Sequence, residues 1–203
     1  MHESPEFLKF YRQFAEKTGR VLRFTEIPVE TSISATQRMM LHKRTVTIPL
    51  DASSEVLFYA YHDPMGLVGR FYFSGVFCRS IQPLTTHLSV RKKNIIDRIN
   101  IFGSRKGVIK TGTQYDNEVY ITTREDDQPD ISFLHRKEIQ NVISKVHSID
   151  ERFFFGVNDV MLTNAEPLHS GSVFGFYIIK DWIFDEEMIG MIHAEVLKLK
   201  GII

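Results

Sequence analysis

The chain predicts an α+β fold of mostly antiparallel sheets with about three packed helices, and three observations predict it. Sixteen Phe and seven Tyr stand in a 203-residue chain that is 43% hydrophobic. Such a share of rings suits pleated, half-buried surfaces rather than a Leu-rich bundle. Strand-like runs bounded by Gly, Pro and Asp outnumber helical runs, and the two do not alternate as they would in a parallel α/β sheet. Three amphipathic stretches with helical spacing complete the set. The length fits a single compact α+β domain over 1–203, or two similar lobes meeting near residues 100–112.

The first helix is expected over residues 5–18. Ser4 supplies a cap, Pro5 stands at the first helical position and Glu6 follows in the first turn. Phe7, Phe10, Tyr11 and Phe14 recur at three-to-four spacing, and Gly19 ends the run. Strands are expected over 20–27, 44–49, 56–61, 69–80 and 87–91, separated by turn material such as Asp63-Pro-Met-Gly66. Gly75 inside the longest of them predicts a bend or bulge. Residues 95–102 fit either period.

A strand over 118–125 and a helix over 135–147 follow, the helix carrying Ile139, Val142, Ile143 and Val146 as one stripe. Residues 152–157 and 160–163 read as a hairpin joined by Asn158-Asp159. Residues 173–179 form an apolar strand. Asp185, Glu186 and Glu187 then open a closing helix with Met188, Ile189, Ile192, Val196 and Leu199 on one face, and Lys198, Lys200 and Gly201 at its end.

The segment Gly112-Thr-Gln-Tyr-Asp-Asn-Glu-Val-Tyr-Ile-Thr-Thr-Arg-Glu-Asp-Asp127, continued by Phe133-Leu-His-Arg-Lys-Glu-Ile139 and Arg152-Phe-Phe-Phe-Gly-Val-Asn-Asp-Val-Met161, resembles a family of uncharacterised bacterial α+β domains of unknown function. Phe14-Ala-Glu-Lys-Thr-Gly19 is similar to the opening of such domains. The resemblance implies an α+β domain, in proteins of unknown role, and brings no catalytic residues with it.

Cys78 is the single cysteine, which excludes an internal disulfide, and the residues after Met1 lack the basic segment and apolar run of a secretory signal. A cytoplasmic setting is therefore expected. The longest apolar runs are far short of the roughly 18 residues that a membrane helix needs.

Formal net charge is zero, yet residues 1–110 hold 17 Lys and Arg against 9 Asp and Glu, while residues 111–203 hold 8 against 16. Such asymmetry marks a polyanion-binding face, a route to head-to-tail self-association, or halves that interleave and neutralise each other.

No Gly-x-Gly-x-x-Gly element follows a strand, no Gly-Lys-Ser/Thr loop occurs, and Gly-x-Ser-x-Gly is absent. The eight histidines include no pair at i, i+4 spacing. Cys78, between Phe77 and Arg79, reads as a buried inert thiol. Glu125, Asp126, Asp127 and Asp130 lack the ligand spacing and glycine of a calcium loop and read as a solvated turn.

No catalytic, cofactor-binding or metal-binding residue is assigned. The candidate contacts for an anion or partner are Arg91, Lys92, Lys93, Arg98, Arg105, Lys106 and Lys110, a run broken by one acid, Asp97. The expected function is a non-enzymatic interaction or structural module with a protein partner or a second copy of itself. The alternatives are anionic-partner binding through 91–110, to nucleic acid or a lipid headgroup, and an enzyme whose site is dispersed along the chain.

Overall fold

The computed structural model describes residues 6–32, 38–65, 71–80, 82–94, 97, 107–123, 129–159 and 171–203. In chain order the elements are α1 (Glu6–Lys17), β1 (Arg23–Ser32), β2 (Arg38–Pro49), β3 (Val56–Asp63), β4 (Phe71–Arg79), β5 (Leu88–Lys92), β6 (Val108–Ile109), a 3-10 turn (Gln114–Asn117), β7 (Val119–Thr123), a second 3-10 turn (Ser132–His135), α2 (Lys137–Ile149), β8 (Phe154–Val157), β9 (Val173–Ile179) and α3 (Glu186–Lys200). The strands form one antiparallel sheet in the order β1-β2-β3-β4-β9-β8-β5-β7-β6. The fold is α+β, as the sequence predicts.

The two sheet faces follow from the period of two along each strand. Val46, Ile48, Phe58, Val76, Phe174, Phe176 and Phe155 meet the helices, and Tyr11, Phe14, Ile143, Val146, Ile192 and Val196 close the same core. The other face carries Leu57, Tyr59, Tyr61, Phe73, Phe77, Val173 and Tyr177, all buried. Their rings form a ladder: Tyr59 lies 5.8 Å from Phe73, Phe77 lies 6.1 Å from Tyr177, and Phe154 stacks on Tyr177 at 5.5 Å.

This ladder explains Gly75 and Gly175. The register runs through Gly75 unbroken, with Tyr59 opposite it on one side and Tyr177 on the other. The expected bulge is therefore absent. A Cβ on Gly75 would fall inside contact distance of the Phe176 carbonyl oxygen, and one on Gly175 would meet the Val76 carbonyl oxygen and the Phe77 ring. The glycines leave room for neighbouring rings to lie on the sheet.

Two further boundaries differ from expectation. β2 begins at Arg38 rather than near residue 44, because β1 pairs with it along its whole length. Gly112, at φ +75°, makes the turn before the 3-10 segment, where Asp116 accepts hydrogen bonds from Thr111 N and Gly112 N, both at 2.8 Å. The hairpin expected at Asn158-Asp159 is replaced, since β8 has β9 on one side and β5 on the other. Residues 160–163, expected as its second strand, lie outside the described residues.

Asn158, at φ +45°, instead fastens three segments. Its amide donates to Leu84 O at 2.6 Å and Thr86 O at 3.1 Å, and its side-chain oxygen accepts from Val173 N at 2.9 Å. The closing helix agrees with its sequence: Asp185 caps α3 by accepting from Glu187 N and Met188 N. Among the described residues, no helix is long and apolar enough to cross a membrane.

Candidate functional site

The ends of β5, β8 and β9 come together beside Lys180 and Asp181, around a cleft of about 920 Å³. Arg91, Lys92 and Lys93 line it from β5 and the residue after, Arg152 from the turn before β8, and Lys180 from the turn after β9. Among the described residues, Glu151 and Asp181 are the acids in the lining, and Phe154, Ile178 and Ile179 are its apolar part. Five described cations thus face two carboxylates.

The cations differ in freedom. Arg91 is clamped by a two-pronged ion pair with Asp97, at 2.5 and 2.8 Å, and its guanidinium lies 4.5 Å from the centre of the Tyr120 ring. Asp97, the one acid in the basic run, is thus that arginine's partner. Lys93 donates to the Asp116 carbonyl oxygen. Burial works to raise the Asp116 carboxyl, but hydrogen bonds from Thr111 and Gly112 outweigh it and hold the group below the usual range.

Arg152 is held by Asp150 at 2.5 Å and by Asp181. Its hydrogen bonds keep Asp150 below the ordinary carboxylate range. Lys92 sits 3.7 Å from Glu151, a loose pair that solvent screens.

Lys180 stands apart. It is exposed, and among the described residues its ammonium has no carboxylate partner. Its backbone occupies the left-handed region at φ +60°, where its N–H donates to Tyr72 O at 2.8 Å. That conformation costs a non-glycine residue about 1–2 kcal/mol.

Of the residues singled out from sequence, Arg91, Lys92 and Lys93 reach the cleft. Lys110 is exposed just beyond β6, and Arg98, Arg105 and Lys106 lie outside the described residues. Arg152 and Lys180 are additions from the register of β8 and β9, for which the sequence carries no local signal.

The opposed charges of the two chain halves meet within the fold. Lys17 pairs with Glu186 at 2.6 Å and Lys92 with Glu151, while Lys200 pairs with Glu55 in the reverse sense. Among the described residues, no group of three or more His, Cys, Asp or Glu is placed to hold a metal ion. Asp130 makes turn contacts, its carboxylate accepting from Ser132 N at 2.9 Å; Glu125, Asp126 and Asp127 lie outside the described residues.

Cys78 is fully buried, and burial pushes its thiol up to about 11. A thiol reagent such as iodoacetamide is expected to leave the folded protein unlabelled at neutral pH and to label it fully in denaturant. Rapid labelling of the native state would contradict that burial.

Comparison with protein-family models, with curated proteins and with solved structures finds no match to this chain. The functional reading rests on the chemistry of the cleft.

Proposed function

We propose that the protein is a binding module whose cleft at the ends of β5, β8 and β9 takes an anionic group with an apolar body. The observation that carries this reading is Lys180, an exposed cation in a left-handed backbone with no carboxylate partner among the described residues, beside the loosely paired Lys92. Arg91 and Arg152, fixed by Asp97 and Asp150, form a rigid wall that requires no ordering when a ligand arrives. Phe154 and Ile179 offer apolar area beside the charges.

Hexyl phosphate carries the required chemistry, and hexylammonium reverses its charge. Calorimetric titration is expected to show saturable binding of hexyl phosphate that weakens as salt rises, and none of hexylammonium. Lys92→Glu combined with Lys180→Glu should weaken the phosphate by at least about tenfold, because each charged contact contributes on the order of 1.5–3 kcal/mol. Equal binding of the two amphiphiles, or an unchanged affinity in the double variant, would overturn the reading.

A further inference from the structure

Asp181 lines the cleft, and the next residue, Trp182, lines a second cavity of about 560 Å³. This cavity is built from α1, β2, β3 and the start of β4. One wall is a stack of three rings. The Trp182 indole lies 4.7 Å from Phe7 at an interplanar angle of 7°, and 5.1 Å from Tyr72 at 26°.

The remaining lining includes Arg44, His42 and His62. Arg44 and His62 are opposite one another in the β2–β3 register, and His42 is two residues along β2 on the same face. Among the described residues, no carboxylate is part of the lining. Glu26 stands behind it, accepting from Arg44 Nε at 2.6 Å and lying 3.7 Å from His42 Nδ1. One carboxylate thus serves both the Arg44 guanidinium, which keeps its other N–H donors, and the His42 imidazole.

We infer that this cavity is a second binding site, for a small planar aromatic acid. Its volume lies within the roughly 300–1,000 Å³ typical of small-molecule sites. The fixed ring stack favours an aromatic body through stacked or edge contacts, and Met40 on the rim is a flexible apolar side chain able to fit its outline. The acid group meets Arg44 and His42, which offer charge-assisted hydrogen bonds. A cationic ligand finds no carboxylate among the described lining residues and is repelled by Arg44. The site does not depend on the cleft across Asp181 and uses none of its cations.

Trp182 is the one tryptophan of the chain, so its indole N–H gives a single reporter resonance in a proton–nitrogen correlation spectrum. Benzoate, cyclohexanecarboxylate and benzylammonium are the probes. Benzoate is expected to shift the indole signal saturably, cyclohexanecarboxylate more weakly, and benzylammonium not at all. Arg44→Gln removes a half-buried charge and should weaken benzoate by at least about tenfold, with the fold checked by the rest of the spectrum. Lys92→Glu with Lys180→Glu should leave benzoate binding unchanged.

Absence of a saturable indole shift with benzoate, an equal response to benzylammonium, or an unchanged affinity in Arg44→Gln would overturn the proposal. Equal binding of cyclohexanecarboxylate would overturn its aromatic requirement. Loss of the signal in the lysine double variant but not in Arg44→Gln would assign it to the cleft and likewise sink the second site.

Discussion

Gly175→Ala is expected to cost about 3 kcal/mol or more, and on that scale to lower the melting temperature of a chain this long by roughly 10 °C. The added methyl has nowhere to go. Its nearest neighbours are the Val76 carbonyl oxygen and the Phe77 ring, and both belong to β4, which is hydrogen-bonded to β9 along seven consecutive pairs. Relief requires the two strands to separate or the ring ladder to shift, and both are in the buried centre of the sheet.

Gly190→Ala supplies the contrast. That glycine is inside α3, and a Cβ there meets nothing within 4 Å. The substitution should stabilise by about 0.5–1 kcal/mol, because alanine loses less conformational freedom in a helix. Urea unfolding of both variants measures the difference. A Gly175→Ala protein as stable as the parent would show that the close strand approach at β4–β9 does not exist.

The second large effect is acid sensitivity between about pH 6.5 and pH 4. His147, near the C-terminal end of α2, is buried, and burial pushes its imidazole down to about 4, with Lys92 acting in the same direction and a backbone hydrogen bond with Phe153 opposing. Above about pH 7 neither the folded nor the unfolded chain protonates this ring, and stability is unaffected. As pH falls through the ordinary histidine range, near 6.5, the unfolded chain takes up a proton that the fold rejects.

Stability therefore declines from pH 6.5 to pH 4, by a total on the order of 3 kcal/mol from this group. His193, also lowered by burial and by Arg20, adds to the same trend. Lowered carboxylates such as Asp150 and Asp116 contribute only at more acid pH, because their stabilisation is lost as pH falls below the ordinary carboxylate range. Urea midpoints at pH 7.5, 5.5 and 4.5 should fall steadily for the parent and less steeply for His147→Gln. Parallel slopes in the two proteins would remove His147 as the cause.

These two sites differ in how far the sequence discloses them. The stripe Ile139, Val142, Ile143 and Val146 marks the helix that carries His147, and Asp185 marks the start of α3, because periodicity and capping are local properties. Gly75 and Gly175 are visible as glycines in strands, but only the sheet order shows that they face carbonyls across β4 and β9 rather than making a bulge.

The cleft divides in the same way. Arg91, Lys92 and Lys93 are legible as a basic run, with Asp97 as its one acid. Arg152 and Lys180 join them because β8 lies between β5 and β9, a register that no local pattern encodes. Trp182 gave no signal at all: its partners Phe7 and Tyr72 come from α1 and β4.

The interleaved strand order has a consequence for synthesis. A ribosome delivers β4 and β5 well before β9, β8 and β7, the strands they pair with in the finished sheet. Until then β4 presents one open edge and β5 presents two, all rich in groups able to pair with another chain. The emerging N-terminal half thus has no complete sheet to settle into. Its folding waits on long-range closure, and the exposed edges of that interval are where a holding chaperone, or a wrong partner, would engage.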